Sequence, residues 1–400
     1  MRKVVLLGIF GLIALPASAA HRFTVGQLRQ FVSSQLAAGK SDSSMAGDLA
    51  GIELTERLTP SATERIRHEL KPGPKTIAVL GLLSDCPAFL SPPPDEVASQ
   101  PPPDPKAQQA MLNRASDFAL NALRHLPDFL ATRTTRSFES SGLFVSNRKV
   151  NSDNSGANSA DPDRFSVQSP FFEAGTFNRE ITYRDGHELS GDSDLAAGQR
   201  LMPSSESLGM VSSGEFGSEL ATILLDVGKG QITWDHWEQT SAGLTAVFHY
   251  TVPLDAANYS VDFCCVHHFE SGTNSGTTIR IPGVGNVPNR YRGTPPYHGN
   301  LYLNPSTGTV LRVTLVAELK ESDPITQVAT SVQYGSEEIG GKIFVLPLHG
   351  LVVSSFRNYP RNSGGIKTVL RINETSFANY HRFGSTIRIL PTAPDPKPEN

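Results

Sequence analysis

The densest run of metal-binding chemistry in this 400-residue chain is Cys264-Cys265-Val266-His267-His268. Thiolate and imidazole suit soft or borderline metal ions, and a structural zinc site needs four such ligands in tetrahedral array. On an extended strand Cys265 and His267 point one way while Cys264 and His268 point the other. Each face then offers two ligands, and other segments would have to complete the set. The alternative is a strand end with two small buried cysteines and two exposed histidines.

Other groups with reactive potential are scattered. Asp192 and Asp194 lie in Gly191-Asp192-Ser193-Asp194, and Glu337-Glu338 precedes a glycine pair. Carboxylates in turns are ordinarily solvated, and nothing local tunes these toward acid–base work. Arg133 and Arg136 fall on opposite faces of a strand-like run, which points to cross-strand ion pairing. Trp234 and Trp237 also fall on opposite faces if the chain is extended there. Together with Phe248 and Tyr250 they are candidates for lining a ligand cleft. The chain contains no His-Glu-x-x-His, no Gly-x-Ser-x-Gly and no phosphate-cradling glycine loop ahead of a helix. No catalytic residue and no cofactor is implied.

The elements that would position these residues are legible from periodicity. Arg2 and Lys3 followed by the apolar run Val4–Leu15 and by Ala17-Ser18-Ala19 read as a secretory signal peptide over residues 1–19. The mature protein is therefore expected in the periplasm or outside the cell. A helical hairpin region follows over 20–90. Thr24 is the expected cap of a helix over Val25–Ala38, a second helical pattern runs through Ser43–Leu58, and Pro60 opens a third with Ser61 and Glu64 as a capping box. Residues 91–105, with Pro92-Pro93-Pro94 and Pro101-Pro102-Pro103, read as an extended linker. Lys106–Leu126 returns to helix.

Beyond Asp128 the period changes to two. Residues 106–390 are expected to form one domain, a helix joined to an antiparallel sheet, with a further helix over Gly214–Val227. Asp185-Gly186, Asn304–Gly308 and Gly340-Gly341 are hairpin signals. Residues 391–400 read as a frayed tail. The fold class is thus α+β, with a helical N-terminal region and a curved antiparallel sheet carrying one or two helices. The high glycine and proline counts, 34 and 29, and a charged fraction of 18% agree with turn-rich β structure. A net charge of −4 leaves no basic footprint for nucleic acid. Three cysteines, Cys86, Cys264 and Cys265, cannot all pair within one chain. No run after the signal is long enough to span a membrane.

Several segments resemble a family of uncharacterised exported bacterial proteins. They are Leu54–Leu58, Ala88–Pro93, Leu126–Thr135, Tyr183–Glu188, Gly214–Gly217 and Tyr297–Leu303. The order of elements from Val247–Tyr250 through Leu301–Val316 to Ile339–Pro347 is also similar to the periplasmic lipoprotein-carrier and lipoprotein-sorting proteins, the LolA-like half-barrels. That second resemblance implies a concave sheet that takes acyl chains. The leading expectation is a non-catalytic envelope protein that binds a lipid or other hydrophobic ligand in a curved sheet. The alternatives are an interaction or scaffold module with a dry core, partnered by an envelope protein, and a hydrolase whose site is assembled from distant residues.

Overall fold

The computed structural model describes residues 21–85, 87–122, 125–140, 143–145, 171–189, 218–264, 278–281, 285–288, 290–358 and 366–382. The predicted signal peptide, the polar stretches around 151–163 and 190–207, and the tail lie outside these.

The N-terminal region begins with β1 (His21–Phe23), α1 (Val25–Ala37), α2 (Asp42–Leu49), β2 (Ile52–Leu54), α3 (Pro60–Leu70) and α4 (Pro74–Asp85). Thr24 caps α1 in a full capping box with Gln27, because both side chains satisfy amides that the first turn leaves unpaired. α3 is capped by Thr59, whose hydroxyl accepts from the Ala62 amide, with Pro60 in the first turn. The Ser61–Glu64 box expected from sequence does not form, since Ser61 already lies inside the helix. The second helical pattern also stops early. Gly51 breaks it, and Ile52–Leu54 pairs in parallel with β1 instead.

Asp42 joins α2 to α4: its carboxylate accepts from the Lys75 and Thr76 amides at 2.9 and 3.0 Å, as an N-cap would. Leu28, Val32, Met45, Leu49, Leu58, Ile66 and Leu80 make this region's own apolar core.

The Pro-rich segment, expected as an extended linker, turns at Pro94–Glu96 and then bonds to the sheet. The Ala98 amide donates to the Trp237 carbonyl at 2.9 Å, and the Gln239 amide to the Glu96 carbonyl at 2.8 Å. It therefore lies along the border of a sheet. That border would otherwise present unpaired backbone groups.

The remaining elements are α5 (Pro105–Ala122), β3 (Phe129–Ser140), β4 (Leu143–Val145), β5 (Phe171–Arg184), β6 (His187–Leu189), α6 (Ser218–Val227), β7 (Gln231–Thr240), β8 (Gly243–Val252), β9 (Val261–Cys264), β10 (Thr278–Ile281), β11 (Gly285–Pro288), β12 (Arg290–Gly293), β13 (Tyr297–Leu303), β14 (Val310–Ala317), β15 (Ile325–Ile339), β16 (Lys342–Asn358) and β17 (Ile366–Arg382). Eleven of these strands form one open antiparallel sheet in the order β6-β5-β3-β17-β16-β15-β14-β13-β8-β7, with β4 also on β17. The α+β class is as expected. The hairpin turns sit where glycine allows a positive φ, at Gly186, Gly308, Gly340 and Gly341.

Strand register sorts the side chains into two faces. Phe248, Leu301, Val313 and Val332 fall in one row across β8, β13, β14 and β15. Met111 and Ala115 of α5 and Leu220, Ile223 and Val227 of α6 pack on that face to build the main core. Asp226 of α6 is buried, and it accepts from the Tyr297 hydroxyl at 2.8 Å and from Asn258 at 2.6 and 2.7 Å. The next row, Val247, Tyr302, Arg312, Gln333 and His349, belongs to the opposite face. Ala88 and the half-buried Leu82 of the N-terminal region pack there against Leu351, Val353 and Ile372.

Two local departures shape the sheet. β16 is a single strand through Pro347, where the sequence pattern predicts two, Lys342–Leu346 and Leu348–Phe356. Pro347 sits opposite Tyr334 at a register shift, a place that does not require its missing amide. β7 carries an extra residue at Asp235, with Trp234 opposite Phe248 and His236 opposite Val247.

Candidate functional site

The bulge at Asp235 reverses the expected placement of the tryptophans. Trp234 and Trp237 share one face, with ring centroids 4.7 Å apart and Phe248 5.3 Å from Trp234. An inserted residue flips the alternation beyond it. Phe248 and Tyr250 are 1% and 0% exposed in the core beneath α6. The Tyr250 hydroxyl donates to the Thr314 carbonyl at 2.6 Å. None of the four lines the cleft described below.

Cys264 ends β9, in register with Arg290. Cys265, His267 and His268 lie outside the described residues, as do Asp192 and Asp194. Among the described residues no three His, Cys, Asp or Glu side chains gather as metal ligands. No described helix is long and apolar enough to cross a membrane.

The structure brings together a different set. Between α3, the end of α4 and the polar-bearing face of the sheet lies a cleft of about 320 Å³. Its helical wall includes Arg57, Leu58, Thr63, Ser84, Asp85 and Ala88; its sheet wall is Arg312, Ser331, Gln333, His349, Leu351 and Glu374. The sheet residues occupy two adjacent same-face rows, because Ser331, Leu351, Glu374 and Arg136 are cross-strand partners one step from the Gln333–His349 pair. Positions two apart on a strand share a face, so both rows meet the helices.

One end of the cleft is cationic. Arg57, 2% exposed, donates to Glu238 at 2.5 Å and to the Tyr302 hydroxyl at 2.8 Å. Glu238, 4% exposed, also meets His236 Nε2 at 3.3 Å, and His236 Nδ1 lies 3.2 Å from Asp235. Burial works against the His236 charge, but bonding to Asp235 and Glu238 prevails and lifts its pKa to about 9. Arg312, 9% exposed, donates from Nε to Ser331 Oγ at 2.9 Å and from Nη2 to the Ala88 carbonyl at 2.7 Å. The Tyr302 ring lies 5.3 Å from the Arg57 guanidinium and 5.2 Å from that of Arg312. Burial lowers the Arg312 pKa to about 10, which leaves it charged at neutral pH.

The other end is acidic. Asp85 is 6% exposed, and burial with the nearby Glu374 raises its pKa to about 7. Glu374 accepts from or shares a proton with His349 Nε2 at 3.2 Å and pairs with Arg136 at 3.5 Å. The His349 bond holds the Glu374 carboxyl below the usual range against the opposing effect of burial. Arg136 also meets Glu173 at 3.4 Å, while Arg133 on the other face lies 3.9 Å from Glu188. Both arginines form the cross-strand ion pairs that their alternation predicts.

Sequence reasoning missed Arg57, Asp85, Arg312 and His349. The available signal was a charge interrupting an apolar element, as in Val310-Leu311-Arg312-Val313 and in Leu82-Leu83-Ser84-Asp85. Comparisons with protein-family models, curated proteins and solved structures return no match for the chain.

Proposed function

We propose that the protein is a non-catalytic, exported envelope protein that binds a small polar ligand between its helical region and its sheet. The observation that supports this most is the cleft itself: charged side chains that are nearly inaccessible to water nonetheless wall a space of about 320 Å³. That volume lies at the lower end of the range for small-molecule sites. The ligand expected from sequence was hydrophobic and placed in an apolar hollow. The apolar face carries α5 and α6, so the proposal moves the ligand to the other face and changes its chemistry. Binding is preferred to hydrolysis because, among the described residues, the hydrogen bond of His349 goes to Glu374 and no hydroxyl is within bonding reach of its ring. Export, the membership in a family of exported proteins and the half-barrel likeness enter this proposal from the N-terminal and motif patterns alone.

Native mass spectrometry of the protein after incubation with envelope small-molecule extract tests the reading. The wild type should carry a discrete low-mass adduct, and Ser331→Trp, which fills the sheet wall of the cleft, should not. A bare wild-type spectrum, or equal adducts on both, would favour a scaffold with a dry core. N-terminal sequencing of the exported chain should begin at Ala20; an intact Met1 in the exported pool would remove the export part.

A further inference from the structure

We infer that the ligand of this cleft is a small hydroxylated organic acid whose carboxylate sits against Arg312. The inference rests on the cleft being a binding site and adds the chemical class.

Charge at the cationic end of the cleft is unevenly matched. Two buried carboxylates lie near the cationic end among the described residues: Glu238 is shared by Arg57 and His236, and Glu96 is taken by Arg65 and Thr59. Asp235 serves His236 from a half-exposed position on the border strand. Arg312 has no carboxylate partner: its described hydrogen bonds go to a serine hydroxyl and a backbone carbonyl, both neutral. Arg57 keeps a further unmet need, since its Nε is buried without an acceptor. Glu238 acts on Arg312 only through space and is already bonded to Arg57 and His236, and a buried guanidinium without a directly paired carboxylate is disfavoured unless something supplies one. The planar fork of arginine matches a carboxylate in bidentate fashion, which makes a carboxylate the fitting supplier.

The rest of the cleft specifies hydroxyls. Gln333 offers both a donor and acceptors, His349 a ring nitrogen, and Asp85, protonated up to about neutrality, an O–H donor. A ligand that placed a second carboxylate here would face Glu374 directly. The site is therefore polarised, with an anion-accepting end and a hydroxyl-accepting end, in a volume suited to a molecule of the size of one sugar acid.

Isothermal titration of the full mature chain at pH 6 and low salt tests this with D-glucuronate, its neutral counterpart D-glucose, and inorganic phosphate. Glucuronate should bind at least tenfold more tightly than glucose, and its affinity should fall as sodium chloride rises from 50 to 500 mM. Arg312→Gln should abolish the preference. Should that variant unfold, Arg312→Lys keeps the charge but loses the fork, and it should weaken glucuronate several-fold while leaving a residual preference over glucose. Equal binding of glucose and glucuronate, or binding to neither acid nor phosphate, overturns the inference. Phosphate outcompeting glucuronate overturns the carboxylate assignment. A neutral adduct in the mass-spectrometric experiment would leave the cleft a binding site while removing its anionic ligand, so the two readings fail separately.

Discussion

Arg57 shows how much a single side chain carries at this interface. It bonds Glu238 and Tyr302 across the junction between the helical region and the sheet, and its backbone amide holds the Ser91 carbonyl at 2.8 Å. Removing one partner of a buried ion pair leaves the other charge stranded, at about 3–5 kcal/mol. Arg57→Met should destabilise toward the lower end, since His236 still serves Glu238, and Arg57→Met with Glu238→Leu should regain part of the loss; urea unfolding measures both.

Asp85 gives a second test at the same scale. Its folded pKa of about 7 stands above the ordinary 3.8, so the native state holds the extra proton between those values. Stability therefore declines as pH rises from about 4 to 7, by on the order of 4 kcal/mol. Asp85→Asn should flatten that slope in unfolding measured at pH 5 and pH 8; an unchanged slope would remove Asp85 as its source. None of these residues was singled out by sequence reasoning, and the reason is physical. Arg57 precedes α3, Asp85 ends α4, Arg312 lies in β14 and His349 in β16. Only the docking of helices on the sheet makes them neighbours, and no local spacing encodes that.

At the level of elements the sequence was more informative, because periodicity and turn chemistry are local. The hairpins at Asp185-Gly186, Asn304–Gly308 and Gly340-Gly341 form where their residues allow positive φ. The misses came from single-residue insertions and boundaries: the bulge at Asp235, the continuity of β16 through Pro347, and the short strand at Ile52–Leu54. Gly308 does more than turn the chain. A Cβ there would come within 2.4 Å of Arg114 Cβ and 2.5 Å of the Arg114 carbonyl carbon, so the β13–β14 turn touches the α5 backbone. Gly308→Ala combines a strained φ with that clash and should cost about 1–3 kcal/mol, read as a lowered thermal midpoint. The border strand offers a separate test. Ala98→Pro removes the amide that bonds Trp237, and the bared edge of β7 should self-associate. Light scattering at rising concentration would show it; a monodisperse monomer at every concentration would deny the edge-sealing role.

For the whole molecule, α+β class and antiparallel pairing followed from the change of period at Asp128, whereas the packing of helices on both faces of the sheet did not. The packing sets an overall pH response. His236, raised to about 9 from 6.5, contributes stability that is complete below about 6.5 and lost as pH rises through 9. Asp85 acts in the same direction over the preceding window. Glu238, Glu374 and Asp235 have lowered pKa values, so their contribution is present above the ordinary carboxylate range and lost on further acidification. These opposing trends place maximal stability near the ordinary carboxylate range, at about pH 4 to 5. Thermal unfolding scanned from pH 3 to 9 should peak there, and a peak at or above pH 8 would show that these groups do not govern it.

Glu96 gives the Pro-rich segment a second meaning. Its carboxylate accepts from Thr59 at 2.9 Å and from Arg65 at 2.7 Å on the helical side, while its carbonyl accepts from Gln239 on β7. One residue thus fastens both the helices and the sheet's rim. If the helices swing away to admit a bulky guest, the same movement strips the rim of its backbone partner and bares an adhesive strand. On the proposed reading, admitting a guest and baring the rim are mechanically linked, which predicts openings that are small and brief.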